Sequence, residues 1–227
     1  MSSTFGAISM ATTAASTLEL TPEQTAIWIK GLLSVACADG HFDPEEKQLI
    51  ASLIQEEIAP EIDTDHFAPV TDEELVAAFG GDRALAENFV RTAVMVALAN
   101  GIYSQSEDAE LQRFCSALGL EIDALESLKH TLDGQHGSNE QTLRLLDPVR
   151  HWLDGLEIKD AKVARFLCRL IPPQCPFERD IILFGRKIVH IPPLCKLNPL
   201  YDQLVGLRFR ALTYLADECG EDITPYC

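Results

Sequence analysis

The chain has 227 residues, 47% of them hydrophobic and 23% charged, with a formal net charge of −17. That is enough apolar material for one large core or two small ones. The acidic balance repels phosphate backbones and anionic membrane surfaces, and it favours cations or basic partner surfaces.

The excess charge is confined to one part of the chain. Residues 1–145 hold 7 Lys and Arg against 24 Asp and Glu, whereas residues 146–227 hold 11 of each. No run of 18 apolar residues occurs, so no membrane span is expected. Residues 1–19 are small and polar with no Lys or Arg, which suits a disordered tail better than a signal or transit peptide. The expected location is cytoplasmic, where the seven cysteines serve as thiols or ligands rather than disulfides.

Helix punctuation follows in chain order. Thr21-Pro22-Glu23-Gln24 places an N-cap, an early proline and a capping-box partner before an apolar stretch that ends near Ala38. Asp43-Pro44-Glu45-Glu46 repeats that logic for a helix to about Glu57, and Thr71-Asp72-Glu73-Glu74 starts a short one. Asp82 caps a helix to Ala99. Ser104 and Glu107 open the next, which Gly119 stops, and another runs from about Ile122 to Leu132. Residues 133–140 read as a linker. Beyond it, Gln141–Leu156 and Lys162–Ile171 read as helices. Apolar, β-branched arms on either side of Gly185-Arg186 predict a β-hairpin with a type II′ turn. Asn198-Pro199 then opens a long helix to about Glu218, ended by Gly220. The fold class is mainly all-α with one hairpin.

The first part carries an internal duplication. A shift of 61 residues carries Trp28, Val35 and Ala36 onto Phe89, Val96 and Ala97, and Ala38-Asp39-Gly40 onto Ala99-Asn100-Gly101. The caps Asp43 and Ser104 coincide, as do Glu46 and Glu107. Two helical hairpins of this kind bury their apolar faces against each other. This repeated hairpin resembles the TerB-like (tellurite resistance) family over residues 20–132, which implies a compact helical bundle with an acidic face. The segments Phe166–Asp180, His190–Pro199 and Leu207–Gly220 resemble the Mo-dependent nitrogenase C-terminal family found in cyanobacteria, over a module within residues 141–227. That second resemblance implies an association with nitrogen fixation.

Three constellations bear on chemistry. Asp39, Asp43, Glu46 and Glu107, with Asn100 and Ser104, offer oxygen ligands for a divalent cation such as Ca²⁺ or Mg²⁺. The same residues also satisfy helix starts as caps and first-turn acids. Cys168, Cys175, Cys195 and Cys219 suffice in number for Zn²⁺ or an Fe–S cluster, but no C-x₂-C pair occurs, and Cys168, Cys37 and Cys115 sit among apolar neighbours. His190 is a further candidate ligand beside Cys195; His41 lies in the first acidic turn and His130 near a helix end. No nucleophile elbow, P-loop or dinucleotide fingerprint is present. Arg165, Arg169, Arg179, Arg186, Lys187, Arg208 and Arg210 give the C-terminal part local positive patches, available to the acidic part or to an anionic partner. The expectation is a non-catalytic binding or scaffold protein with a protein partner and no nucleic acid. The alternative is a metal or redox accessory protein.

Overall fold

The computed structural model describes residues 20–38, 68–98, 103–129, 146–171, 179–183, 186–191 and 200–226, with only the backbone described in the two short strands. Over these residues the chain is mainly helical, as expected. In order come α1 (Pro22–Ala36), α2 (Asp72–Phe79), α3 (Arg83–Ala97), α4 (Gln105–Leu118), α5 (Asp123–Leu128), α6 (Asp147–Asp154) and α7 (Ala161–Leu170). Strands β1 (Arg179–Leu183) and β2 (Arg186–Ile191) precede α8 (Tyr201–Thr213), which continues as a π-helical turn to Glu218. The tail at residues 1–19, the helix expected from Asp43, the linker at 133–140 and residues 141–145 lie outside the described residues.

Five of the eight described α-helices start at a side-chain cap, whereas α5, α6 and α8 do not. Thr21 with Gln24, Thr71 with Glu74 and Ser104 with Glu107 form complete capping boxes, each box satisfying two orphan backbone donors. Asp82 accepts the Leu85 N–H at 3.0 Å. Gly119 and Gly220, at φ 63° and 67°, take the left-handed conformation that ends α4 and the π turn. The hairpin is antiparallel and pairs Leu183 with Arg186, with an irregularity between Ile181 and Ile182. Arg186 is therefore a strand residue rather than a turn position, one place different from the expectation. The irregularity supplies the reason: a bulge consumes one extra residue on its strand and shifts the register beyond it.

The α1 sequence is apolar nearly all round, which forces it into the middle of the molecule. It packs on α2, α3, α4 and α7. Its duplicate, α3, has the same 15-residue length, and the equivalent residues Trp28 and Phe89 meet edge to face at 5.5 Å. Phe79 stacks on Phe89 at 4.9 Å, and Phe114 lies 5.4 Å away on the other side. Such aromatic pairs contribute about 0.5–1.5 kcal/mol each beyond their burial. Gly31 is required by this cluster, because a Cβ there would lie 2.5 Å from Phe89 Cζ.

One hydrophobic core runs through both parts of the chain. Trp28, Leu32 and Phe89 belong to the same cluster as Val149 and Leu153 of α6, Phe166 and Leu167 of α7, and Leu207 and Leu215 of the last helix. Helix α7 is the bridge, packing on α1 on one side and α8 on the other. No described helix is long and apolar enough to cross a membrane.

Candidate functional site

The oxygen-ligand candidates that are described, Ser104 and Glu107, form a helix cap. Glu107 is buried at the start of α4, where its Oε2 accepts the Ser104 N–H and the Ser104 hydroxyl, both at 2.8 Å. Its neighbour Asp108 accepts the Tyr103 hydroxyl at 2.8 Å. Burial, together with the Asp108 carboxylate, holds that phenol well above its ordinary pKa. Asp39, Asp43, Glu46 and Asn100, with His41 and His130, lie outside the described residues.

The cysteines divide by environment. Cys168 is buried in the α7 core and Cys115 in that of α4, Cys37 is half-buried, and Cys219 is exposed after the π turn. Cys175 and Cys195 lie outside the described residues, and His190 is placed by its backbone alone, on β2 opposite Asp180. Burial pushes the Cys115 thiol up to about 11. Partial desolvation and then the Glu221 carboxylate hold Cys219 above its ordinary value. Neither environment generates a thiolate nucleophile near neutral pH. Among the described residues no three His, Cys, Asp or Glu side chains are grouped to hold a metal ion.

Four of the arginines singled out in the C-terminal part, Arg165, Arg169, Arg208 and Arg210, meet partners within their own module; the side chains of Arg179, Arg186 and Lys187 lie outside the described residues. Arg208 is buried and donates to the Cys168 and Ile171 carbonyls at the end of α7, and also to the Tyr226 carbonyl. A guanidinium there satisfies carbonyls that the helix end leaves open, with the favourable sign for the dipole. Arg165 pairs with Glu221 through both carboxylate oxygens at 3.0 and 2.5 Å, Arg169 lies over the Tyr226 ring, and Arg210 donates to the Leu156 carbonyl at 2.9 Å. Residues 145–227 match the Mo-dependent nitrogenase C-terminus family. This match covers little more than a third of the chain. No curated protein and no solved structure matches it.

The C-terminal module that carries this match is fastened to the acidic part by a latch of side chains separated widely in sequence. Arg91 of α3 donates through Nε to the Trp152 carbonyl at 2.8 Å and lies 5.3 Å from the centre of its ring. Glu87 accepts from both Arg91 and the Trp152 indole, at 2.6 and 2.8 Å. Asn88 closes a two-way pair with the Glu157 backbone, at 2.7 and 2.9 Å. Asp160 divides its carboxylate between two tasks. Its Oδ1 caps α7 through the Lys162 and Val163 N–H groups, and its Oδ2 accepts the Thr25 hydroxyl of α1 at 2.9 Å. Between these contacts lies a cleft of about 30 Å³ beside Trp28, Thr92 and Val163, with room for about one water.

Among the described residues two surfaces stand open. Helix α8 presents Val205 and Phe209, one turn apart, at 46% and 68% exposure. At the opposite part of the chain, α1 and α2 enclose a groove of about 480 Å³ lined by Ile27, Ala77 and Ala78, with Glu23, Glu73 and Glu74 beside them. The sequence reading passed over both. An exposed Phe is distinguishable only once the buried face of its helix is known, and the groove arises from helices about 50 residues apart in sequence.

Proposed function

We propose that the chain is a non-catalytic binding protein of scaffold type, in which an acidic TerB-like helical platform carries a nitrogenase C-terminus module that docks on a protein partner. Phe209 carries this reading. The other described phenylalanines, Phe79, Phe89, Phe114 and Phe166, are essentially inaccessible, whereas Phe209 stands in solvent with Val205 beside it. Burying such a ring returns about 1.5–3 kcal/mol, and aromatic residues held on rigid elements are frequent anchors of protein interfaces. Helix α8 is rigid in this sense, since Arg208 and Arg210 on its other faces are tied to three backbone carbonyls of the same module and to the chain's C-terminal turn.

The family match supports an accessory role connected with molybdenum-dependent nitrogen fixation. The unbalanced carboxylates of the first part support a basic partner surface there. The divalent-cation reading of Asp39, Asp43, Glu46 and Glu107 belongs to the same platform, as a site that would order its two duplicated turns.

The test is comparative capture from the native cell by the tagged protein and by its Phe209→Ser variant, after circular dichroism shows equal helicity. A partner that is retained by the parent, lost by the variant, and bound again as a purified protein with a Kd of about 1 μM or tighter supports the reading. Identical capture profiles for parent and variant would sink it.

A further inference from the structure

We propose that the groove between α1 and α2 is a docking site for a lysine- or arginine-bearing segment of a partner protein, a proposal that rests on the binding reading above and names its second surface. The groove combines an apolar lining with acidic walls. Ile27, Ala77 and Ala78 supply methyl and methylene surface, Glu23, Glu73 and Glu74 stand around them, and Thr21 and Gln24 add neutral polar surface, with Gln24 donating across to the Ala78 carbonyl at 2.9 Å. A long basic side chain has the matching build: an aliphatic stem that lies on apolar surface and a cationic head that reaches carboxylates. At about 480 Å³ the groove has the size of a ligand cleft, so it accommodates several side chains of a peptide rather than a bare ion.

The charges in and around it are already sorted. Lys30 grips both oxygens of Glu74, at 2.7 and 2.8 Å, and Glu74 also accepts the Thr71 N–H. That holds Glu74 below the usual carboxylate range, chiefly through Lys30, and fixes one wall of the groove. Among the described residues none pairs with Glu23 or Glu73. Among the described cations of the acidic part, Arg83 is exposed and in no ion pair, and the others are engaged. Arg91 is paired with Glu87, Arg113 with Glu110 and Asp72, and Lys129 with Glu126. First-turn acids at Glu23 and Glu73 also suit their helix dipoles, but that role needs neither the concavity nor the apolar lining between them. Val76, 48% exposed and one turn from Glu73, extends the apolar strip along α2. It favours a basic segment with an apolar residue following the cation.

The probe is a short fluorescein-labelled amphipathic peptide of alternating Lys and Leu character, with a Glu and Leu counterpart, titrated by anisotropy into the full chain at physiological salt. The Lys peptide should bind and the Glu peptide should not. Two variants locate the binding: the pair Glu23→Gln and Glu73→Gln, and Ala77→Trp, which fills the groove without changing charge. Each should weaken binding about tenfold or more. A charge-matched control pair at a remote exposed site, Glu121→Gln and Glu126→Gln, should change it less than about twofold. Equal effects of the two charge pairs, or full binding by Ala77→Trp, would overturn the groove in favour of diffuse attraction. Displacement of the peptide by Ca²⁺ or Mg²⁺ at about 1 mM would overturn it in favour of a cation site. The Phe209→Ser protein keeps the groove intact, so peptide binding by that variant separates failure of the groove from failure of the scaffold reading.

Discussion

Cys115 makes the burial of the acidic bundle measurable by titration. Its thiol moves from the ordinary 9.0 to about 11 in the folded chain, and burial is the cause. Below pH 9 both states keep the proton. Between pH 9 and 11 only the unfolded chain releases it, so the unfolded state binds fewer protons and stability falls as pH rises. The slope reaches about 1.4 kcal/mol per pH unit. Tyr103, also raised, adds to the same trend at still higher pH. Urea unfolding at pH 8, 9 and 10 should show a shallower decline for Cys115→Ala than for the parent; parallel declines would refute the assignment. Gly31 gives a second expectation at this scale. Alanine there gains about 1 kcal/mol of helix propensity, but its methyl meets a Phe89 ring held by Trp28, Phe79 and Phe114. Overpacking of this kind costs about 1–3 kcal/mol, so Gly31→Ala should lower the urea midpoint by the equivalent of about 1 kcal/mol, and an unchanged or raised midpoint would show that the ring can move.

At the level of elements, what the sequence disclosed and what it hid divide by range. Capping boxes at Thr21, Thr71 and Ser104, the Asp82 cap, and the glycine stops at 119 and 220 all depend on residues within four positions of one another, and each is present. The hairpin was legible from its β-branched arms, but its turn position was not, because the bulge that leaves Ile188 unpaired opposite Ile181 and Ile182 leaves no mark in the residue types. The partners of the arginine patches were hidden for the opposite reason. Composition made Arg165 and Arg208 look available to the acidic part, whereas Glu221 and backbone carbonyls of their own module are among the partners they meet. Asp160 joins the two ranges, being a local cap for α7 and a distant partner of Thr25. Asp160→Ala should therefore cost about 2–3 kcal/mol, a cap and a charge-assisted hydrogen bond together, and Thr25→Val about 1 kcal/mol. In the Asp160→Ala background the Thr25→Val cost should vanish. A full cost persisting there would mean that the Thr25 hydroxyl matters for some other contact.

For the whole molecule the decisive feature is that the acidic part and the C-terminal module share one core, with α7 between α1 and α8. A scaffold needs this arrangement if its two open surfaces are to keep a fixed relation, since domains joined by a small polar interface move relative to each other. The latch around Arg91 is the polar component of that joint. Carboxylate, guanidinium and indole meet in one network, so removing Arg91 leaves Glu87 with the Trp152 indole as its one described partner and leaves the Trp152 carbonyl with the longer Gly155 N–H contact at 3.3 Å. Arg91→Met keeps the apolar stem and removes the charge. It should destabilise the chain by about 2 kcal/mol, in the range of a charge-assisted hydrogen bond, and it should do so to the whole chain at once. Calorimetry should show one transition in parent and variant alike, moved to lower temperature in the variant, with van't Hoff and calorimetric enthalpies in agreement. If the variant melts in two steps, with the module's helices lost before those of the acidic bundle, the latch rather than the shared core is what joins them, and the fixed spacing required of a scaffold would be lost with it.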